Sequence, residues 1–172
     1  MKQNISTLIL ENEVIMLDTS VVGCGKKDIQ SDISESLGID VRKGNVLMDS
    51  DSHGGFHGDG MLFQQISFED SKFSDEIKYN DGRKPMPLSQ NMEALVYGIE
   101  VDTSSIGPYL TDESGDTIIP DVQNGYYYFY DRHSESKDPF SDKDILNRAS
   151  FNFTLALYDS DNRVLYYVEF DT

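Results

Sequence analysis

From Phe151 to Phe170 the side chains alternate with period two. Phe151, Phe153, Leu155 and Leu157 occupy one set of positions, and Asn152, Thr154, Ala156 and Tyr158 the other. Beyond Asp159-Ser-Asp-Asn162, Val164, Tyr166, Val168 and Phe170 alternate in turn with Leu165, Tyr167 and Glu169. Two is the period of a β-strand, and the polar residues between the runs are turn formers. The segment therefore predicts a β-hairpin with one buried face. Aromatic and β-branched area on this scale cannot be left at the margin of a small domain, so the hairpin belongs at the centre of a sheet. The rest of the chain has to supply its neighbours and its cover.

Tyr126-Tyr-Tyr-Phe-Tyr130 reads as one such neighbour, with Tyr127 and Phe129 on one face and Tyr126, Tyr128 and Tyr130 on the other. Val46 to Met48 and Met61 to Phe68 read as two more strands, paired as an antiparallel hairpin across a long connection. Three helices are expected. Asp28 caps the first, Ile29, Ile33 and Leu37 make its narrow apolar stripe, and Gly38 ends it in a Schellman turn. Asp70 or Ser71 caps the second, which carries Phe73 and Ile77. Ser89 caps the third, with Met92, Leu95 and Val96 on one side, although a strand from Tyr97 to Val101 competes for its second half. Residues 103 to 125 read as a long loop with a turn at Glu113-Ser-Gly-Asp116, and one helical turn is expected near Asp142 to Leu146. Residues 1 to 26 read as a weakly ordered segment, and residues 27 to 172 as one domain.

These elements give an α+β fold: an antiparallel sheet of about five strands, with two or three short helices packed mainly on one face. A chain of 172 residues buries roughly 70% of its unfolded surface and needs no disulfide or metal in order to fold.

Charge narrows the functional classes. Thirty-one acidic against fourteen basic residues leave a formal net charge of −17. That surface repels phosphate backbones and anionic lipid, which excludes nucleic acid as a partner. No run is long and apolar enough for a transmembrane helix. Cys24 is the only cysteine, so no intrachain disulfide forms. Val21-Val-Gly-Cys24 has the small-residue pattern of a lipoprotein cleavage box, but Glu11, Glu13 and Asp18 interrupt the apolar stretch that an export signal needs.

Reactive side chains concentrate in Asp49-Ser-Asp-Ser-His53-Gly-Gly-Phe-His57-Gly-Asp59-Gly60. His53, His57 and Asp59 form a candidate site for a divalent metal, zinc or iron by donor type, and His133 would arrive from the end of the aromatic strand. Four glycines argue that the stretch is a tight loop shaped by its backbone, with its histidines hydrogen-bonded locally. The stretch opens like a calcium-binding EF-hand loop, but His53 replaces the fifth-position oxygen donor and Gly60 the twelfth-position Glu. Looser calcium sites could be drawn from Asp112 with Asp116, or Asp159 with Asp161, though aspartates in turns generally bond their own backbone. A phosphate loop is excluded, because a strand follows and the loop holds no lysine. Tyr128, with its tyrosine neighbours, is a candidate platform for a sugar or peptide.

Six phrases carry a resemblance: Leu37-Gly-Ile-Asp40, Asp51-Ser-His-Gly-Gly-Phe-His-Gly-Asp-Gly60, Gly107-Pro-Tyr-Leu-Thr111, Asn124-Gly-Tyr-Tyr-Tyr-Phe129, Asp131-Arg-His-Ser134 and Asn147-Arg-Ala-Ser-Phe-Asn-Phe-Thr-Leu-Ala-Leu-Tyr158. Together they resemble a family of functionally uncharacterised small Firmicutes proteins whose members often follow a lipoprotein signal or membrane segment. The resemblance covers about Asp28 to Thr172, and it implies that the Cys24 box descends from a lipobox. A working signal would put the protein at the cell envelope, and its absence in the cytoplasm. The expected function is a non-catalytic domain that binds a small molecule, an ion or a protein at the envelope. The alternative is a metal-dependent hydrolase using His53, His57 and Asp59.

Overall fold

The computed structural model describes residues 28–54, 58–79 and 81–172. The segment 1–26, the Cys24 box within it, and His57 lie outside the described residues.

The elements run α1 (Ile29–Leu37), β1 (Asn45–Asp51), β2 (Gly60–Ser67), α2 (Lys72–Lys78), β3 (Arg83–Pro85), α3 (Gln90–Val96), β4 (Ile99–Val101), β5 (Ser104–Ile106), β6 (Gly125–Asp131), β7 (Asn152–Asp159) and β8 (Val164–Asp171). Among the described residues the main sheet has six strands in the order β1-β2-β8-β7-β6-β3, and every neighbouring pair is antiparallel. The terminal hairpin β7–β8 holds the two central places, as its apolar content demands. The sixth strand, beyond the five or so expected, is β3. Its three residues pair Arg83 with Tyr128 and Pro85 with Tyr126. A separate ribbon, β4–β5, occupies part of what reads as loop in the sequence. The helix and strand readings around Tyr97 share that stretch: α3 stops at Val96, Gly98 takes φ 77°, and β4 begins at Ile99.

The end of α1 and the start of α3 form as expected, whereas Asp28 stands at the N-cap of α1 without a side-chain capping bond. Gly38 ends α1 at φ 60°, its amide reaching the Glu35 carbonyl while the Ile39 amide reaches Ser34. Ser89 Oγ accepts the Met92 amide at the start of α3. At α2 the Asp70 carboxylate accepts the Lys72 amide at 3.0 Å, so the chain turns into the helix through an Asx-type bond and not a Ser71 cap.

Two points differ from the sequence reading. The terminal hairpin buries both faces. Phe153, Leu155, Leu157, Val164, Tyr166 and Val168 join one apolar cluster, while Ala156, Tyr158, Leu165 and Tyr167 join a second on the opposite face. The helices also do not gather on one face. α1 and α2 cover the second cluster through Ile33, Leu37, Phe73 and Ile77. α3 covers the first through Met92, Leu95 and Val96, helped by Leu110, Ile119 and Val122 from the long connection. That connection is pinned where Tyr97 donates its hydroxyl to the Pro120 carbonyl at 2.7 Å and accepts the Val122 amide at 3.2 Å. A sheet with two aromatic faces needs cover on both. The polar positions of β7 that suggested a wet face are Asn152 and Thr154, at its start, and Thr154 is itself buried.

Two-sided burial has a direct test. Leu155 and Leu165 are both 0% exposed and belong to opposite clusters. Leu155→Ala and Leu165→Ala are each expected to cost about 2–5 kcal/mol in urea unfolding. A one-faced hairpin would make one of the two nearly silent.

Candidate functional site

One end of the main sheet collects the charged residues that terminate its strands. β1 ends at Asp51, β6 at Asp131 and β8 at Asp171, while β2 starts at Gly60 and β7 at Asn152. Register brings these ends together, since Asp171 stands opposite both Gly60 and Asn152, and Asp131 stands opposite Phe153. The apolar alternations stop at this level, where Asp51 is half exposed while Asp131 is buried.

Asp171 is the hub of the first polar group. Its Oδ1 accepts Asn152 Nδ2 at 2.9 Å, and its Oδ2 accepts Arg132 at 3.1 Å and lies 3.2 Å from His53 Nε2. His53 Nδ1 lies 2.7 Å from Asp51 Oδ1, which also accepts the His53 amide at 2.9 Å. That amide bond is the main force holding the Asp51 carboxyl below its ordinary value. Ionised carboxylates only accept, so each imidazole contact is a hydrogen bond where that ring nitrogen carries the proton. A ring nitrogen that donates to a carboxylate has no lone pair left for a metal. Gly60 makes the arrangement possible: a Cβ there would stand 2.6 Å from His53 N and Cα. The glycine is present because two backbones approach, as a tight-loop reading of the stretch requires.

The second group lies beside it and is drier. Arg148 grips Asp131 with two bonds, Nη1 to Oδ1 at 3.1 Å and Nη2 to Oδ2 at 2.6 Å, and the Asp131 side chain is 2% exposed. Burial pushes the Asp131 carboxyl up, but the Arg148 bonds and the His133 amide outweigh it and hold the group below its ordinary value. The His133 ring does not turn toward His53. Its Nε2 lies 3.3 Å from Ser150 Oγ, and its Nδ1 accepts the Glu135 amide at 3.2 Å. Asp59 is exposed, and Tyr128 lies away from this end of the sheet. Tyr128 stacks parallel to Tyr130 at 6.5 Å between centroids, with the Phe140 edge at 6.2 Å and the Arg83 guanidinium 5.6 Å above its ring. It is 9% exposed, so it is a packing residue and not an open platform.

Among the described residues, no group of three or more His, Cys, Asp or Glu side chains is placed to hold a metal ion. The aspartates of the two turns bond their own backbones. Asp112 accepts the Ser114 and Asp116 amides, and Asp159 accepts those of Asp161 and Asn162. Two clefts, of about 400 and 470 Å³, have mixed-charge linings and include neither His53 nor His133.

The most open surface of the sheet is its first strand. All seven residues of β1 are exposed, and Val46, Leu47 and Met48 stand at 44, 56 and 53%. Among the described residues β1 pairs only with β2 and so forms one edge of the sheet. A bulge at Leu47 shifts the register between Val46 and Met48. The Ser52 amide donates to the Met61 carbonyl, and strand alternation from that bond turns the backbone groups of Asp49 and Asp51 outward. The sequence reads as a strand at Val46 to Met48 but does not single out this surface, because composition does not tell an edge strand from a central one.

The Asp131–Arg148 pair yields a pH test. A carboxyl held below its ordinary value in the folded state stabilises above its unfolded-state value, and that contribution is lost as pH falls through the folded-state value. Arg148→Met strands the buried carboxylate and is expected to cost about 3–5 kcal/mol at neutral pH, shrinking as the solution is acidified through the carboxylate range. The double variant Asp131→Asn with Arg148→Met is expected to recover most of the loss, read by urea unfolding at several pH values.

Compared with known proteins, the chain matches no family model, no curated protein and no solved structure.

Proposed function

We propose that the chain is a non-catalytic binding domain whose partner is a protein, acting at the bacterial cell envelope. The observation that carries the binding reading is β1, an edge strand whose Val46-Leu-Met48 run is held in water by the fold. Three exposed apolar residues in a row, beside backbone that no described residue pairs, are a liability for a protein that keeps no partner there. The envelope part rests on the resemblance and on the Val21 to Cys24 box.

The metal-dependent hydrolase built on His53, His57 and Asp59 has less support. His53 faces a carboxylate at each ring nitrogen, and His133 bonds Ser150 and the Glu135 amide in a different group. Among the described residues, His53 contacts carboxylates and no nucleophilic side chain, and His133, although its Nε2 lies 3.3 Å from Ser150 Oγ, lines neither of the two clefts above.

Two measurements test the reading. Leu47→Lys, at an exposed edge position, is expected to change unfolding stability by no more than about 0.5 kcal/mol. A loss well above that would mean that the chain itself covers the strand, and the reading would fail. Elemental analysis of untagged protein is expected to find substoichiometric zinc and iron, unaltered in His57→Ala. One equivalent of metal, lost in that variant, would favour the hydrolase.

A further inference from the structure

The edge strand also specifies the chemistry of what it binds. Alternation along β1 places Val46, Asp49 and Asp51 on one face of the sheet, opposite Ile66, Gln64 and Leu62 of β2. Met48 and Ser50 fall on the other face, opposite Gln65 and Phe63. The strand is thus divided along its length, apolar over Val46 to Met48 and doubly acidic over Asp49 to Asp51. Asp49 is exposed, and among the described residues its side chain meets only a long contact from Gln64 Nε2 at 3.4 Å. Asp51 is half exposed, and its ring contact with His53 uses one oxygen, Oδ1.

A strand laid antiparallel against β1, as every pair in this sheet is laid, would bring its side chains opposite these positions in order. Two cations spaced two residues apart would face Asp51 and then Asp49. Apolar side chains following them would face the Met48 to Val46 end. The outward amides and carbonyls of Asp49 and Asp51 supply main-chain bonds at the charged end. A second copy of this chain is the wrong occupant. Antiparallel pairing of β1 with itself about Met48 would set the Asp49–Asp51 stretch of each copy against Leu47 to Asn45 of the other, between bodies of formal charge −17 each.

We infer that β1 takes up, as an added antiparallel strand, an extended basic–apolar peptide segment of a partner protein, with two lysines or arginines at alternate positions followed by aliphatic residues. This rests on the binding-domain reading above and names the partner's chemistry. Long-range attraction from the acidic surface steers such a segment in, and the apolar run holds it once it is paired.

The test uses the full chain and a fluorescein-labelled peptide, Lys-Thr-Lys-Val-Ile-Val-Thr, capped at both ends. Fluorescence anisotropy is expected to show saturable binding that weakens as salt is raised. A peptide with both lysines replaced by glutamate is expected not to bind. Asp49→Lys is expected to weaken binding of the lysine peptide roughly tenfold, and Leu47→Lys to abolish it. N-methylation of alternate amides on the edge facing β1 is expected to abolish binding, and methylation on the opposite edge to leave it intact. A merely electrostatic contact would not distinguish those two peptides, and indifference to methylation would overturn the inference. So would sedimentation showing self-association that Leu47→Lys disrupts, since a second copy would then hold the edge. If neither peptide binds while Leu47→Lys leaves stability untouched, the basic segment is wrong and the binding-domain reading stands.

Discussion

β7 and β8, eight residues each, are paired from Asn152 with Asp171 to Asp159 with Val164, and everything else in the sheet is placed by that ladder. The pairing has an unusual problem of specification. In a hairpin with one wet face, a slip of one residue would turn the apolar set into water and is strongly opposed. Here both faces are apolar, with Leu155, Leu157 and Val168 on one side and Tyr158, Leu165 and Tyr167 on the other. Burial alone therefore opposes a slip only weakly. The ends of the ribbon resist it instead. At the turn, Asp159 accepts two backbone amides and bonds the Asn162 side chain at 2.7 Å, while Arg163 adopts φ 55°. At the open end, Asn152 bonds Asp171 across the ladder. A slipped register would break both.

The same pair of ends explains why the polar residues collect where they do. Once β7 and β8 are fixed, antiparallel pairing carries the terminus of β6 and the start of β2 to the level of Asn152 and Asp171. Charged residues that merely stop one strand in the sequence thus become neighbours in space. His53 is drawn in by Asp51 and Asp171, and Arg132 by Asp171. Their geometry is that of a latch across the sheet end.

Much of this frame was legible in the residues. The central place of the terminal hairpin, the two faces of Tyr126 to Tyr130, the Schellman end of α1 and the Ser89 cap each follow from a local pattern with a local cause. What was not legible depends on distant pairing. Cover on both faces follows from Ala156 and Tyr158 meeting α1 and α2, which lie far away in sequence. The Asp131–Arg148 and Asp171–Arg132 pairs join residues 17 and 39 positions apart, and their one sequence signal is a charge at the end of an apolar alternation. The glycine-rich stretch was attractive as a metal site because its histidines are close in sequence. Gly60 instead serves the approach of His53 to β2.

The two edges of the sheet show how the chain treats exposed backbone. β3 is blunted by its three-residue length and by Pro85, which has no amide to donate. β1 is more than twice as long and lacks a proline, and among the described residues its protection consists of the bulge at Leu47 and the charges of Asp49 and Asp51. Those charges repel another acidic edge, including that of a second copy, but they attract a basic one. A device that prevents indiscriminate pairing is therefore also one that selects, and in the binding role proposed above, selection by charge on an edge that keeps its apolar residues in water would be the physical basis of recognition.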